Sequence, residues 1–516
     1  MIQNPVLKGF CPDPSIIRVE DDYYIATSTF EWWPGVKLFH SKDLKHWEQI
    51  PSPLRRMSQL NMLGVPTSGG VWAPCLSYDG RYFYLLFTDV KTKKGRFYNT
   101  HNYVVYTDDI YGEWSEPIYL NSIGFDPSLF HDTDGKKYLV NMVNGFKGIL
   151  VQEIEPQSFR LLGERRMVYE GSGIGCTEGP HIYHVGDWYY LLVAEGGTGY
   201  DHCVTMARAK TVWGPYETAP NNPILTSNRT DMDALQKCGH GDLVETQNGE
   251  WFLAHLCSRP ISGKPWCTLG RETALQKMEW DEDGWLHLKA GGVYAALETQ
   301  EPRGIDEYPL CDEEEGFYDD FDEEKLHVRY ASPRVPYDMF ADCKSKRGHL
   351  RLLGMESMNS LHRVALIAVR MQTVECTAQT AMEFIPTCEQ QMAGLAYMYD
   401  AMNFYLLGKT CAAEGNCVVV LLKSDRGEIT DLVTSIEVSC DKRIEFKAEV
   451  IEEGTAVRFY FRESDGDWVQ VGDAYSTKIL TDEYCRGFTG AHMGLYCHDM
   501  AGLGGYADFD YMKVEK

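Results

Sequence analysis

The 516 residues exceed one ordinary domain and suffice for two, each with a substantial core. A hydrophobic content of 44% beside 24% charged residues is that of a soluble globular protein, and no stretch approaches the ~18 apolar residues of a membrane helix. The formal charge of −26 sets nucleic acid and anionic membranes aside as partners, because both would be repelled, whereas a neutral substrate would not be.

The chain opens Met1-Ile2-Gln3-Asn4-Pro5-Val6, without the basic and apolar regions of a secretory signal. Sixteen cysteines scatter from Cys11 to Cys497 with no metal-type spacing. Unpatterned thiols in such a chain predict a reducing, cytoplasmic location rather than a disulfide framework. A segment then recurs five times, each copy a short turn, a hydrophobic strand start, a polar turn and an aromatic strand. The copies begin Asp13-Pro14-Ser15-Ile16, Ala73-Pro74-Cys75-Leu76, Asp126-Pro127-Ser128-Leu129, Gly179-Pro180-His181-Ile182 and Gly241-Asp242-Leu243-Val244. They continue as Tyr23-Tyr24-Ile25, Tyr82-Phe83-Tyr84, Lys137-Tyr138-Leu139, Trp188-Tyr189-Tyr190 and Trp251-Phe252-Leu253, four of the turns carrying Gly80, Gly135, Gly186 or Gly249.

Units of this length, rich in short strands and almost free of helical periodicity, match four-stranded propeller blades. The expectation is an all-β chain whose residues 1–305 form a five-bladed β-propeller. Glu301 to Glu315, rich in acids with Pro and Gly, reads as a linker. Residues 316–516 alternate as strands, closing on Ala507-Asp508-Phe509-Asp510-Tyr511, and predict a C-terminal β-sandwich of the lectin-like jelly-roll kind.

Blades set around an axis bring equivalent positions to one mouth. Asp13, Trp72, Asp126, Glu178 and His240 sit at or one before the same repeat position. Two Asp and one Glu thus reach one rim from three blades. Cleavage of a glycosidic bond needs an acid for the leaving oxygen and a second carboxylate to activate water or to attack. Carboxylates on non-adjacent blades more easily give the ~6.5–9.5 Å separation of an inverting enzyme than the ~5–5.5 Å of a retaining one. A third carboxylate beside the acid would raise its pKa by repulsion and keep it protonated. The bland alternative, an Asp-Pro-Ser that only starts a turn, holds for either Asp alone better than for three acids in register.

The segments Pro12-Asp13-Pro14-Ser15, Phe30-Glu31-Trp32-Trp33-Pro34-Gly35-Val36, Gly69-Gly70-Val71-Trp72-Ala73-Pro74, Phe125-Asp126-Pro127-Ser128-Leu129 and Thr177-Glu178-Gly179-Pro180-His181 resemble glycoside hydrolase family 43. The phrase around Phe30, with Leu269-Gly270-Arg271-Glu272-Thr273, is similar to its β-xylosidase branch. The resemblance spans both halves. It implies Asp13 as general base, Asp126 as modulator of the acid's pKa, Glu178 as general acid, and inversion in one displacement.

It further implies Phe30 and Trp72 as pocket walls and Arg271 as a donor to substrate hydroxyls. A buried inter-blade Trp72 and a structural Arg271 ion pair stand as alternatives. His240 resembles a histidine near the axis that in some members helps hold a divalent cation. No cofactor is required, and a cation at His240 would be calcium rather than zinc, given oxygen and water partners. Cys11, Cys176 and Cys238, each two residues before a site position, are expected to pack beside the pocket. Phe488, in Arg486-Gly487-Phe488-Thr489-Gly490, is the candidate by which the sandwich closes one side.

The implied function is exo-acting release of xylose from the non-reducing end of short β-1,4-xylooligosaccharides, with α-L-arabinofuranosidase activity on the side. A dedicated α-L-arabinofuranosidase is the runner-up, and a non-catalytic sugar-binding propeller the reading from another class. The partner is a small oligosaccharide, and a homo-oligomer is compatible with the sequence.

Overall fold

The computed structural model describes residues 1–261, 263–308, 316–464 and 466–516. Part of the stretch read as a linker, 309–315, lies outside the described residues. Among the described residues, helix is confined to one four-residue turn, Asp482–Cys485, and two 3-10 turns. All the rest of the regular structure is strand.

Each repeat copy supplies the first two strands of one antiparallel sheet. The first sheet runs Ser15–Val19, Asp22–Thr27, Lys37–Ser41, Glu48–Ile50, and the second Gly70–Tyr78, Phe83–Lys94, Phe97–Thr107, Ile118–Asn121. The third runs Ser128–His131, Lys137–Met142, Ile149–Ile154, Leu161–Tyr169. The fourth, Glu178–Val185, Trp188–Glu195, Cys203–Ala209, Glu217–Thr218, gains a fifth strand, Leu225–Thr226, and the last runs Gln236–Glu245, Trp251–Ser258, Glu272–Trp280, Leu286–Leu288. The turn glycines Gly80, Gly135, Gly186 and Gly249 all have positive φ, which explains the glycine in each turn.

Side chains on the first strands tie each sheet to the next. Ser15 Oγ accepts the Leu76 N–H at 3.0 Å, His131 meets Ser77 Oγ at 3.0 Å, and Ser128 Oγ donates to the Pro180 carbonyl at 2.6 Å. Tyr183 donates to Asp242, and Ser15 Oγ donates to the other Asp242 oxygen at 2.8 Å, which joins the fifth sheet to the first. The circuit of inner strands is closed. Residues Ile2–Gln3 pair with Glu298–Thr299, latching the two ends of this propeller-type region.

The C-terminal region has an eight-stranded sheet, from Ala341–Asp342 to Val469–Ser476, and a six-stranded sheet, from Ala365–Arg370 to Glu428–Glu437. Apolar faces of both enter one core, with Leu352, Ala448 and Phe509 from the first and Leu395, Leu407 and Val419 from the second. One correction concerns the thiols. Cys417 and Cys440 form a disulfide, which the scatter of cysteines in the sequence did not show.

The two regions meet along a polar and aromatic seam. Trp32–Trp33 pairs as a short strand with Ser332–Pro333, and Trp32 stacks on His492 at 4.0 Å. Lys237 Nζ, almost fully buried, lies 3.1 Å from Asp482 and 2.7 Å from Glu483. The Ala491 N–H donates to the Thr268 carbonyl at 2.7 Å, and Arg370 Nε donates to the Lys8 carbonyl at 3.0 Å.

Candidate active site

The site gathers at one end of the inner strands. Asp13 and Asp126 stand just before their strands with φ of 54° and 51°, and His240 within its strand has φ 47°. A left-handed residue breaks the period-two alternation of a strand, so these side chains leave the sheet faces. Each such residue costs about 1–3 kcal/mol, and it persists only where its surroundings over-determine it. Glu178 begins its own strand, followed by Gly179 at φ 57°. A Cβ on Gly179 would lie 2.9 Å from His240 Cε1, so the glycine makes room for the imidazole.

The three carboxyls are buried and differ in their partners. Asp13 Oδ2 accepts from Ser28 Oγ at 2.6 Å, and Oδ1 meets Arg271 Nη1 at 3.0 Å. Burial alone would raise Asp13, but the charge of Arg271, His240 and the Ser28 bond outweigh it and hold the carboxyl below its ordinary range. Asp126 is raised by burial and by the negative charge of Asp13, and Glu178 well raised by burial, then Asp126, then Asp13. Repulsion disfavours ionising both members of that pair at once, and burial with it raises Asp126 to about 8. Hydrogen bonding distinguishes the two. Asp126 Oδ2 accepts the Gly179 N–H at 3.0 Å, which favours its ionised form. Glu178 Oε1 is buried with no hydrogen-bond partner among the described residues, a state that suits a neutral acid and penalises an anion.

All eight residues singled out from the sequence line one cavity of about 270 Å³: Asp13, Phe30, Trp72, Asp126, Glu178, His240, Arg271 and Phe488. Phe30, Trp72 and Phe488 form a triangle of rings with centroids 5.6–6.4 Å apart. Trp72 is a wall and also packs between sheets, its Nε1 donating to the Ser68 carbonyl at 3.0 Å. Arg271 makes the ion pair of the structural alternative and also lines the cavity. Nη1 pairs with Asp13, while Nε and Nη2 are buried without a partner among the described residues. Its guanidinium lies 5.3 Å from the centroid of Phe30 and 4.9 Å from that of Phe488. Burial pushes His240 down to about 4, so its imidazole is neutral at pH 7.

The sequence reading missed Lys93, Tyr98, Phe125, Phe146, Gly197 and Thr198, which with Ala73 complete the lining. Phe125 directly precedes Asp126 and was within reach. Lys93 and Tyr98 arrive on a hairpin of two long strands, Phe83–Lys94 and Phe97–Thr107, and only the Gly95 turn marks it in the sequence. Cys11 and Cys238 are buried and Cys176 is exposed, and none of the three lines the cavity. Among the described residues no three His, Cys, Asp or Glu side chains are grouped to hold a metal ion.

Two family models match the chain: glycosyl hydrolases family 43 over residues 2–286, and the β-xylosidase C-terminal concanavalin A-like domain over residues 318–515. A β-xylosidase of Bacillus subtilis is 43% identical over 100% of this chain and 99% of its own. Xylosidase/arabinosidase 43B of Humicola insolens is 41% identical, over 99% and 97%. The crystal structure of a xylan β-1,4-xylosidase from Bacillus halodurans superposes with a TM-score of 0.96 at 46% identity, covering both chains in full.

Proposed function

The chain belongs to glycosyl hydrolase family 43, and from that membership we propose that it releases xylose, with inversion, from the non-reducing end of short β-1,4-xylooligosaccharides. The observation that carries the reading is one cavity lined by three buried carboxyls, of which Asp13 is held below its ordinary range beside Arg271 while burial and the neighbouring Asp126 and Asp13 raise Glu178. Asp13 takes a proton from water as its oxygen bonds to the anomeric carbon. The glycosidic bond breaks with its electron pair going to the leaving oxygen, which takes the proton of Glu178. Asp126, beside it, strengthens the hold of Glu178 on that proton until the bond breaks.

The unpartnered nitrogens of Arg271 and the neutral imidazole of His240 bond sugar hydroxyls, and Phe30, Trp72 and Phe488 face the ring. A volume just under the ~300–1,000 Å³ of drug-sized pockets supports an end-on site for a single terminal sugar rather than a cleft for a chain. The five sheets are read as the blades of a propeller over residues 1–305, a reading supported by the closed circuit of inner strands. Residues 316–516 are read as a β-sandwich of the lectin-like jelly-roll kind.

Proton NMR during hydrolysis of xylotriose tests this. α-Xylose appears first, one unit at a time; β-xylose as the first anomer would overturn the inverting roles. The Humicola relative's name favours a second activity on α-L-arabinofuranosides. Rates on the two chromogenic glycosides measure their ratio.

A further inference from the structure

Ser68 lies between the two regions and does not itself line the cavity, yet it bonds to three residues that do. It is buried, with φ 58°. Its carbonyl accepts from Trp72 Nε1 at 3.0 Å and from Lys93 Nζ at 3.5 Å. Its hydroxyl accepts the Phe488 N–H at 3.0 Å, across 420 residues of sequence. Its own N–H donates to Glu31 Oε2 at 2.9 Å.

Glu31 in turn is buried, and its carbonyl accepts the Arg334 N–H at 2.8 Å. Arg334 Nε donates to the Val65 carbonyl at 2.7 Å, three residues before Ser68. The chain from Arg334 through Glu31 and Ser68 to Phe488 therefore begins and ends in the C-terminal region and passes through the N-terminal one. Gly487 completes the fit. A Cβ there would stand 3.1 Å from Ser68 Oγ and 2.6 Å from Tyr399 Cε1, so only a bare backbone lets the Phe488 loop lie against Ser68.

We propose that Ser68 is a positioning residue for substrate binding, holding the Trp72, Lys93 and Phe488 walls of the pocket in one arrangement across the boundary between the regions. This rests on the glycosidase reading of the site. The physical argument is that a ring wall contributes to binding only if its orientation is settled before substrate arrives. Phe488 comes from a loop of the C-terminal region, and Ser68 Oγ is the acceptor from the N-terminal region that its backbone N–H reaches. Loss of that bond leaves the wall in several orientations, and substrate must select one of them.

The test uses the full-length protein with Ser68→Gly, Ser68→Ala, Phe488→Ala and the double variant Ser68→Gly/Phe488→Ala. Glycine suits the left-handed backbone, so Ser68→Gly removes the hydroxyl without new strain. KM for xylobiose rises about two- to ten-fold in both Ser68 variants, the size of one lost hydrogen bond, while kcat changes less than about two-fold. In the double variant the two effects do not add. Hydrogen exchange over residues 486–491 is faster in both Ser68 variants, a readout that needs no turnover.

Unchanged KM and unchanged exchange would overturn the inference, as would a lower Tm or kcat with KM intact, the mark of a merely structural serine. A wild-type chain that fails to cleave xylobiose would overturn the glycosidase reading instead, and the exchange measurement would still decide the role of Ser68.

Discussion

The N-terminal and C-terminal regions are both all strand, yet they distribute apolar and polar groups in opposite ways. In the C-terminal region one continuous apolar cluster fills the space between two large sheets. In the N-terminal region the apolar residues divide into several smaller clusters, most of them between successive sheets. The ends of the inner strands are left to charge: Asp13, Asp126, Glu178, His240 and Arg271 are all buried there. Positive φ outside glycine also gathers beside this site, at Asp13, Phe30, Ser68, Asp126, Cys176, Lys237 and His240. The contrast separates labour. The C-terminal region buries its largest apolar cluster between two sheets, and the N-terminal one gathers strained residues and buried charge at the end of its inner strands, where the chemistry needs them.

The largest effect should come from removing one side of the comparison. A fragment ending at residue 305 is expected to aggregate and to lose nearly all activity on xylobiose. It lacks Phe488, exposes Trp32 where His492 covered it, and strips Lys237 of both carboxylates. A soluble, fully active fragment, seen by size exclusion and assay, would show that the regions do not work as one unit.

Within the N-terminal site, Asp13→Asn should lower kcat on every substrate by about 10²–10⁴-fold, since water must be activated whatever leaves. Azide rescue with a retained anomer would mark Asp13 as a nucleophile instead. Glu178→Ala should cost about as much on xylobiose but far less on an activated aryl xyloside, whose leaving oxygen needs no proton. Equal losses on both would assign Glu178 another role.

Lys237→Met leaves Asp482 and Glu483 facing each other at the seam without their cation. Removing one member of a buried pair costs about 3–5 kcal/mol, visible as a lower denaturation midpoint. A midpoint unchanged from wild type would mean that the seam contributes little. The smallest effect is a shift in pH. Activity requires Asp13 ionised, with a depressed pKa, and Glu178 protonated, with a raised one, so the profile falls at low pH through Asp13 and at high pH through Glu178. Asp126→Asn removes the anion that helps to raise Glu178, and the basic limb should move down by about one unit, or ~1.4 kcal/mol. An unmoved limb with a slower rate would make Asp126 an orienting group only.

How much of this was legible follows the range of the interactions. The repeat placed Asp13, Trp72, Asp126, Glu178 and His240 together because sheets that repeat around a circuit put equivalent residues at equivalent places. Periodicity is a local property, and one chain carries it in full. Family resemblance extended that set to Phe30, Arg271 and Phe488, all of which line the cavity. Lys93, Tyr98 and Phe146 carry no such register, since they sit on a hairpin and a loop whose course depends on what they pack against.

By itself, then, the sequence determined the all-β class, the five-fold recurrence and the residue types at the mouth, because alternation, turn glycines and spacing act over a few residues. The tertiary structure alone decided how far, and in which direction, each carboxyl departs from its ordinary range. Asp13 and Asp126 are the same residue type in the same motif, but Arg271 lies 3.0 Å from the first, 258 residues away in sequence, and the Gly179 N–H 3.0 Å from the second. Protonation depends on charge and burial in space, and the chain reveals those only once it has closed on itself.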